Sequence, residues 1–348
     1  MTTKVTAKVT AMSLTWQEVT SSPLLGRCYA VSVTWCGRLY LHGGLPTTQQ
    51  KGAPLRSLVC WDPGNNTVTE VDRQGPALSH HTGNIVGNCL VLVGGWDGKN
   101  RGSKVDIFNL ETNNWLSVEH REERSNPPFG LSGHTTTRIN QALFCVLGRE
   151  GGLKIQRKFG DIFLLHLNIK SEHCSYWWAE APVKTKSRSG HAALLAPSLK
   201  FGDLFGLFVF GGRDDETVHK CGQWPHHEVD IHQEESEDVF NYLSEMVKTQ
   251  EISKPEGLRY HTMIKINDRC IIVHGGQNFK SRNNISNKTL VCLNRRGDSH
   301  WFSFTGGQEG ARAAHGMVLL DSKVFIVGGM DGKVVKDNVA RLHFVAEE

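Results

Sequence analysis

Histidine, cysteine and arginine are the side chains in this sequence best suited to chemistry, and each recurs in a pattern. One stretch, Thr217 to His232, holds His219, Cys221, His226, His227 and His232. Imidazoles and a thiolate are zinc ligands, yet structural zinc sites pair them as CxxC or HxxxH steps, and this stretch has one cysteine. A polar loop or a pair of distorted strands is the competing reading. Four other histidines, His134, His191, His261 and His315, stand at matching places in a repeat. A catalytic site needs unlike groups converging, whereas one identical residue per repeat signals a shared hydrogen-bonding role. Arg27, Arg188, Arg259 and Arg312 lie in or beside the same places. Guanidinium groups brought together suit an acidic peptide, a C-terminal carboxylate or a phosphate, because each holds an anion through two parallel hydrogen bonds. The competing reading has them brace loops through backbone carbonyls. The sequence contains no P-loop, dinucleotide fingerprint, GxSxG elbow or HExxH motif, so catalysis would need ligands drawn from separate repeats.

The elements that position these groups announce themselves as apolar runs ending in two glycines. Leu39 to His42 precedes Gly43-Gly44, Leu90 to Val93 precedes Gly94-Gly95, and Leu207 to Phe210 precedes Gly211-Gly212. Ile271 to His274 precedes Gly275-Gly276, and Val324 to Val327 precedes Gly328-Gly329. Leu143 to Leu147, followed by Gly148-Arg149, is a sixth, degenerate copy. The period is roughly 50 to 65 residues, which suits a four-stranded blade. Each run reads as a buried strand from its length and its β-branched and aromatic content. Upstream of most runs comes a polar or basic residue, then a histidine and a hydrophobic strand. Downstream comes an alternating strand, a turn, and an aromatic: Trp115, Trp177 or Trp178, and Trp301.

Bulk properties narrow the class. The 348 residues include 36 glycines against 11 prolines, a turn-rich globular composition, and a net charge of +4 with no basic block. That charge pattern argues against nucleic acid as a partner. No secretory leader and no apolar stretch of membrane-spanning length is found, so a cytoplasmic chain, nuclear as well in some settings and not secreted, is the expectation. Nine cysteines without a CxxC pair, several inside apolar runs, read as buried free thiols.

Diglycines after the second strand, arginine or histidine before the first, and an aromatic after the third resemble the kelch repeat family from about Trp16 to Val345. The resemblance implies an all-β fold: a six-bladed propeller of four-stranded antiparallel blades, occupying residues 1–348 as one domain. It implies a monomeric platform for a protein partner, with no cofactor or resident metal. The strand around Trp16 is expected to complete the last blade and close the ring. In a kelch blade the loop before the first strand and the loop after the diglycine emerge on one face. Arg27, Arg188, Arg259, Arg312 and Arg149 are then expected to line a partner-binding rim with Trp96, Asp97, Asp214, Gln277, Phe279 and Asp331.

The pattern breaks in three places. Arg149 replaces a glycine in blade three, blade one lacks its tryptophan, with Val68 or Val71 in its stead, and residues 213–256 form an irregular insertion with no clear third or fourth strand. Within it, residues 237–252 read as an amphipathic helix with Val239, Phe240, Leu243, Met246 and Val247 on one side and Glu237 and Asp238 in the first turn. That stripe either packs on the propeller or receives a partner. Three functions follow: a non-enzymatic interaction scaffold, a ubiquitin-ligase substrate receptor recruiting its machinery through this helix, and an enzyme with a cross-blade metal site.

Overall fold

Each apolar run forms a strand that is apolar on both faces, because the core of this protein lies between blades and not within them. The computed structural model describes residues 12–346 apart from 50–51, 152–156, 171–172, 198–203, 213–217, 231–233, 248–250, 254, 280–283 and 296–297. The chain opens with β1 (Met12–Ser21), and blade one follows as β2 (Val31–Trp35), β3 (Arg38–His42), β4 (Leu58–Asp62) and β5 (Thr67–Asp72). Blade two comprises β6 (Thr82–Val86), β7 (Cys89–Trp96), β8 (Arg101–Asn109) and β9 (Asn114–Trp115). A short connector, β10 (Val118–His120), pairs in parallel with the outer strand of blade three, which comprises β11 (Thr135–Arg138), β12 (Leu143–Gly151), β13 (Arg157–Asn168) and β14 (Cys174–Arg188). Blade four comprises β15 (His191–Pro197), β16 (Leu204–Gly211) and β17 (Val218–Pro225), after which comes helix α1 (Glu237–Met246). Next come β18 (Glu251–Ile252) and β19 (Leu258–Arg259), then blade five, with β20 (Thr262–Asn267), β21 (Cys270–His274), β22 (Gln277–Asn278), β23 (Lys288–Arg295) and β24 (Asp298–Thr305). Blade six comprises β25 (Gly316–Leu320), β26 (Lys323–Val327) and β27 (Asn338–Ala346), with β1 as its fourth strand.

The innermost strands β2, β6, β11, β15, β20 and β25 each neighbour the next, and β25 neighbours β2, so six blades close a ring. Hydrophobic clusters fill the gaps between adjacent blades, for example Val91, Val93 and Ile107 of blade two with Phe144, Leu165 and Trp178 of blade three. Closure comes through β1, which pairs antiparallel with β27 from Met12↔Ala346 to Ser21↔Asn338. Trp16 is buried there, its ring 4.6 Å from His274. The expected closing strand and its aromatic are thus both in place, and joining the two ends of the ring removes an exposed edge. In blade one, Val68 packs between blades six and one and Val71 between blades one and two.

Two expectations about the insertion need correcting. A third strand does exist, because β17 pairs antiparallel with β16 over Val218 to Pro225. Its sequence carries no alternating pattern, and pairing with β16 imposes the conformation. The helix is shorter than residues 237–252: it ends at Met246, and Glu251 and Ile252 pair with Phe302 and Trp301 as a strand. Ser236 caps its start, the hydroxyl accepting from Val239 N at 3.2 Å. Val239, Leu243, Met246 and Val247 are buried among Ile266, Ile272, Phe302 and Leu319 of blades five and six. The stripe is therefore covered by the propeller itself and is not open to recruit a ligase.

Among the described residues no helix is long and apolar enough to cross a membrane. The described cysteines are free thiols, all buried except Cys36.

Candidate interaction face

The loops before the first strands and after the diglycines meet around the propeller axis, and backbone chemistry organises them. One residue per blade adopts a left-handed conformation: Tyr29, His80, Gly133, Gly190, Tyr260 and Ala314, with φ between 54° and 63°. Their amides form a closed circle. Tyr29 N donates to Ala314 O, His80 N to Tyr29 O, Gly133 N to His80 O, Gly190 N to Gly133 O, Tyr260 N to Gly190 O, and Ala314 N to Tyr260 O, at 2.7 to 3.1 Å. No side chain is needed for this belt, which leaves the side chains of Tyr29, His80 and Tyr260 to cluster at the axis. Tyr29 stacks on His80 at 3.9 Å and meets Tyr260 edge-on at 5.0 Å. Below the belt the channel widens into a cavity of about 410 Å³ lined by Ser32, Asn84, Thr136 and Lys265 among others.

The recurring histidines sit directly beneath the belt and fasten one blade to the next. Thr82 Oγ1 is 3.1 Å from His134 Nε2, Thr135 Oγ1 2.9 Å from His191 Nε2, and Thr262 Oγ1 2.7 Å from His315 Nε2. Each hydroxyl belongs to the blade before its histidine. Blade one has Val31 at the threonine place, and His81 instead meets His42 Nδ1 at 2.9 Å. Blade four has Ala192 there, so no hydroxyl meets His261, whose ring lies against the Phe210 and Leu258 backbone. Burial holds His134, His261, His42 and His274 neutral, at about 3 each. The first diglycine residue is where each imidazole edge rests. A Cβ on Gly211 would lie 2.3 Å from Leu258 O and 2.6 Å from His261 Cε1, at a backbone angle of +69° that already favours glycine.

The arginines divide into two sets. Arg27, Arg188 and Arg312 do not line an open rim; they are fully buried. Arg27 Nη1 donates to Gly43 O at 3.1 Å, Arg188 Nη1 to Gly211 O at 3.0 Å, and Arg312 Nη1 to Gly328 O at 3.1 Å, each the first diglycine carbonyl of its own blade. Arg27 adds Leu24 O and Ser57 O, and Arg312 adds Asn338 Oδ1 at 2.7 Å. Burial lowers the pKa of Arg27 and Arg312 to about 10, so both stay charged at neutral pH. These three brace loops, for which a cation with five forked donors is well shaped. Arg149 is also buried. It pairs with Asp161 at 2.9 Å, donates to Phe129 O, and lies 4.0 Å over the Phe159 ring, holding the hairpin of blade three.

Arg259 is different, and its register explains why. One residue separates Arg259 from His261, whereas two separate Arg188 from His191 and Arg312 from His315. Leu258 therefore takes the buried place, and Arg259 falls where the other blades have the small buried residues Cys28, Ser79, Ser132, Ser189 and Ala313. Arg259 is half-buried, its guanidinium 5.4 Å over Tyr260 and 5.8 Å over Phe279. Its Nε is buried without a hydrogen-bond partner among the described residues. Lys158 lies 5.3 Å over the other neighbour, Phe279. Beside them, Ser189 Oγ donates to Glu150 Oε1 at 2.7 Å.

From Tyr260 inward the face turns apolar, with half-buried Trp96 and Tyr260 packed on Cys28, Tyr29, Leu45 and Met330. Asp97 is exposed, but its Oδ1 accepts from Lys99 N and Asn100 N at 2.7 Å, which closes a turn and lowers its pKa. Asp331 likewise accepts from Lys333 N and Val334 N. Gln277 is buried and its backbone pairs with Arg259. Asp214 lies outside the described residues, as do His232 and the side chains of His219, Cys221 and His226; His227 is exposed. Among the described residues no group of three or more metal-ligating side chains assembles. Sequence reasoning missed Tyr29, His80 and Tyr260 as the axial cluster; aligning the repeats on histidine would have found His80 and Tyr260 one residue upstream, whereas blade one has Ala30 at the histidine place and hides Tyr29.

Residues 3–197 match the model of the KLHDC2/KLHL20/DRC7 Kelch-repeats domain. The chain is 32% identical over 339 residues to the Mus musculus protein "Kelch domain-containing protein 9", covering 95% of each chain. It is 30% identical over 337 residues to the Homo sapiens protein of that name, again covering 95% of each. The solved structure of YjhT superposes with a TM-score of 0.59 at 14% identity, covering 94% of this chain and 99% of that one, which shows likeness of fold.

Proposed function

The chain belongs to the kelch repeat family, and from that premise we propose that it is a non-enzymatic scaffold holding a partner protein on the diglycine face, centred on Arg259. The observation that carries the reading is the half-buried Arg259 guanidinium flanked by Tyr260 and Phe279, its Nε without a hydrogen-bond partner among the described residues. A buried donor without an acceptor costs about 1 to 3 kcal/mol, and a carboxylate from a partner removes that cost while the rings supply apolar area. Trp96, with the Tyr29 and Tyr260 cluster, offers the adjoining apolar contact, and Lys158 a second cation. The partner is a protein segment bearing an acidic side chain or a C-terminal carboxylate, met in the cytoplasm. A non-enzymatic reading fits histidines that are engaged between blades.

Affinity purification with mass spectrometry tests it, comparing the parent with Arg259→Glu and with Phe279→Ala. Both variants are expected to keep the parent's melting temperature and to lose the same set of partners. Partners that persist on both variants refute the site. Arg188→Glu serves as the contrasting control, expected to unfold because it buries a carboxylate against the Gly211 carbonyl.

A further inference from the structure

Arg101 is a second arginine on the diglycine face whose charge no carboxylate among the described residues neutralises. It opens β8 directly across from Trp96, the two forming the last pair of the β7–β8 ladder before the turn. Residues directly opposite in an antiparallel pair share one face of the sheet, so Arg101 lies on the side from which Trp96 packs on the Cys28, Tyr29 and Leu45 cluster. Gly130, in the loop before blade three, backs against its stem: an added Cβ there would lie 3.1 Å from Arg101 Cβ. The side chain therefore starts from a fixed place.

Beyond that stem the guanidinium has no anion. Its Nε is buried without a hydrogen-bond partner, and its other nitrogens make no hydrogen bond or ion pair among the described residues. The carboxylates nearest in sequence are already committed. Asp97 accepts from Lys99 N and Asn100 N within the hairpin turn, and Asp106 pairs with Lys104 at 2.5 Å. The charge of Arg101 nevertheless reaches the axial rings. Burial, and after it Arg101, lowers the His80 pKa to about 3. Burial raises the pKa of Tyr260, with Arg259 and Arg101 both opposing it.

Arg101 belongs to blade two and Arg259 introduces blade five, which stand opposite each other in a ring of six. Between them lie the His80 and Tyr260 rings, 6.0 Å apart and edge-on, with the Arg259 guanidinium 5.4 Å over Tyr260. A path from one guanidinium across both rings to the other matches about three to five residues of extended chain, at roughly 3.3 Å each.

We propose that Arg101 and Arg259 together hold two carboxylates of one partner segment, set about three to five residues apart, with an apolar residue between them lying on Tyr260 and Trp96. Given the Arg259 face described above as the partner site, the pair sets what that face selects, a doubly acidic stretch in place of a single anion. One carboxylate answers only one guanidinium, because the axial rings stand between the two. The second carboxylate is a side chain or a free C-terminus, since both present the same two oxygens to a forked donor. Glu150, also near Tyr260, is engaged by Ser189 Oγ at 2.7 Å.

Peptide selection on the purified full chain tests the pair, with two phage libraries of random peptides as probes, one joined to the coat protein through its C-terminal end and one with that end free. The parent is expected to enrich two acidic residues at the stated spacing in the first library. Enrichment of one acidic residue at that distance from the end of the second shows that a free C-terminus serves as well. In fluorescence anisotropy with the leading peptide, Arg101→Gln and Arg259→Gln are each expected to keep the parent's melting temperature and weaken binding about tenfold or more, as losing a charge-assisted contact does. Neutralising one acidic residue of the peptide should abolish the effect of one substitution and leave the other intact. Arg101→Lys, which keeps the charge without the fork, is expected to fall between, and it stands in for Arg101→Gln if that variant fails to fold. Selected peptides with a single acidic group, or binding weakened by Arg259→Gln and by neither Arg101 variant, overturn the pair and leave the Arg259 site standing. Peptides indifferent to every variant, or libraries that yield no binder, overturn both.

Discussion

Acidification should unfold this protein at a pH where most globular domains remain stable. Seven histidines, His42, His81, His134, His191, His261, His274 and His315, are buried to 6% exposure or less. Burial is the leading cause of the depressed pKa at each, with about 3 for His42, His134, His261 and His274, and values well below the ordinary range for His81, His191 and His315. The unfolded chain takes up protons near pH 6.5 while the folded one does not, so the stabilising contribution is complete above that pH and falls as pH drops toward 3. One unit below 6.5 each such group lowers stability by on the order of 1 kcal/mol, and all seven act in the same direction, so their combined effect is several kcal/mol. That is a large share of the stability of a typical domain, about 5 to 15 kcal/mol. Thermal melts followed by circular dichroism at pH 7.5, 6.5, 6.0, 5.5 and 5.0 are expected to show a steep fall starting near 6.5, with unfolding between 5 and 6. His134→Gln should flatten the dependence. A melting temperature that is the same at pH 7.5 and 5.5 refutes the claim that these rings are neutral and desolvated.

Three further outcomes are expected. Ala192→Thr supplies the hydroxyl that His261 lacks and should raise stability by about 1 kcal/mol, measured by urea unfolding; a loss shows that the blade four site has no room for it. Trp16→Ala should cost about 3 to 5 kcal/mol, and removal of Met12–Ser21 should prevent cooperative melting, because both open the ring at blade six. Leu243→Ala should cost about 2 to 5 kcal/mol while Glu245→Ala, at an exposed position of the same helix, changes little; equal effects contradict the packing of α1 on blades five and six.

Much of this architecture is legible in one sequence, for a physical reason. A diglycine after an apolar run, a histidine before the next, and a tryptophan two strands later are local requirements repeated in most blades: a left-handed backbone, a ring wedged between neighbours, and a buried interface. Repetition makes local requirements conspicuous, so the number of blades, their strands and the closing role of Trp16 follow from pattern. The helix also follows at its start, where Ser236 caps it. Its end does not, because Glu251 and Ile252 are drawn into pairing with β24, an interaction distant in sequence. The strand β17 escapes for the same reason, its conformation being imposed by β16.

What only the tertiary structure decided is which repeated residues face inward and which outward. Arg27, Arg188, Arg259 and Arg312 look alike as letters, yet three are buried against diglycine carbonyls and one, displaced by a single residue relative to its histidine, lies half-buried between Tyr260 and Phe279. Sequence determined that a ring of such blades would form. The orientation of each side chain within it depended on the belt of backbone hydrogen bonds, whose donors and acceptors are common to every residue and therefore leave no mark in the sequence.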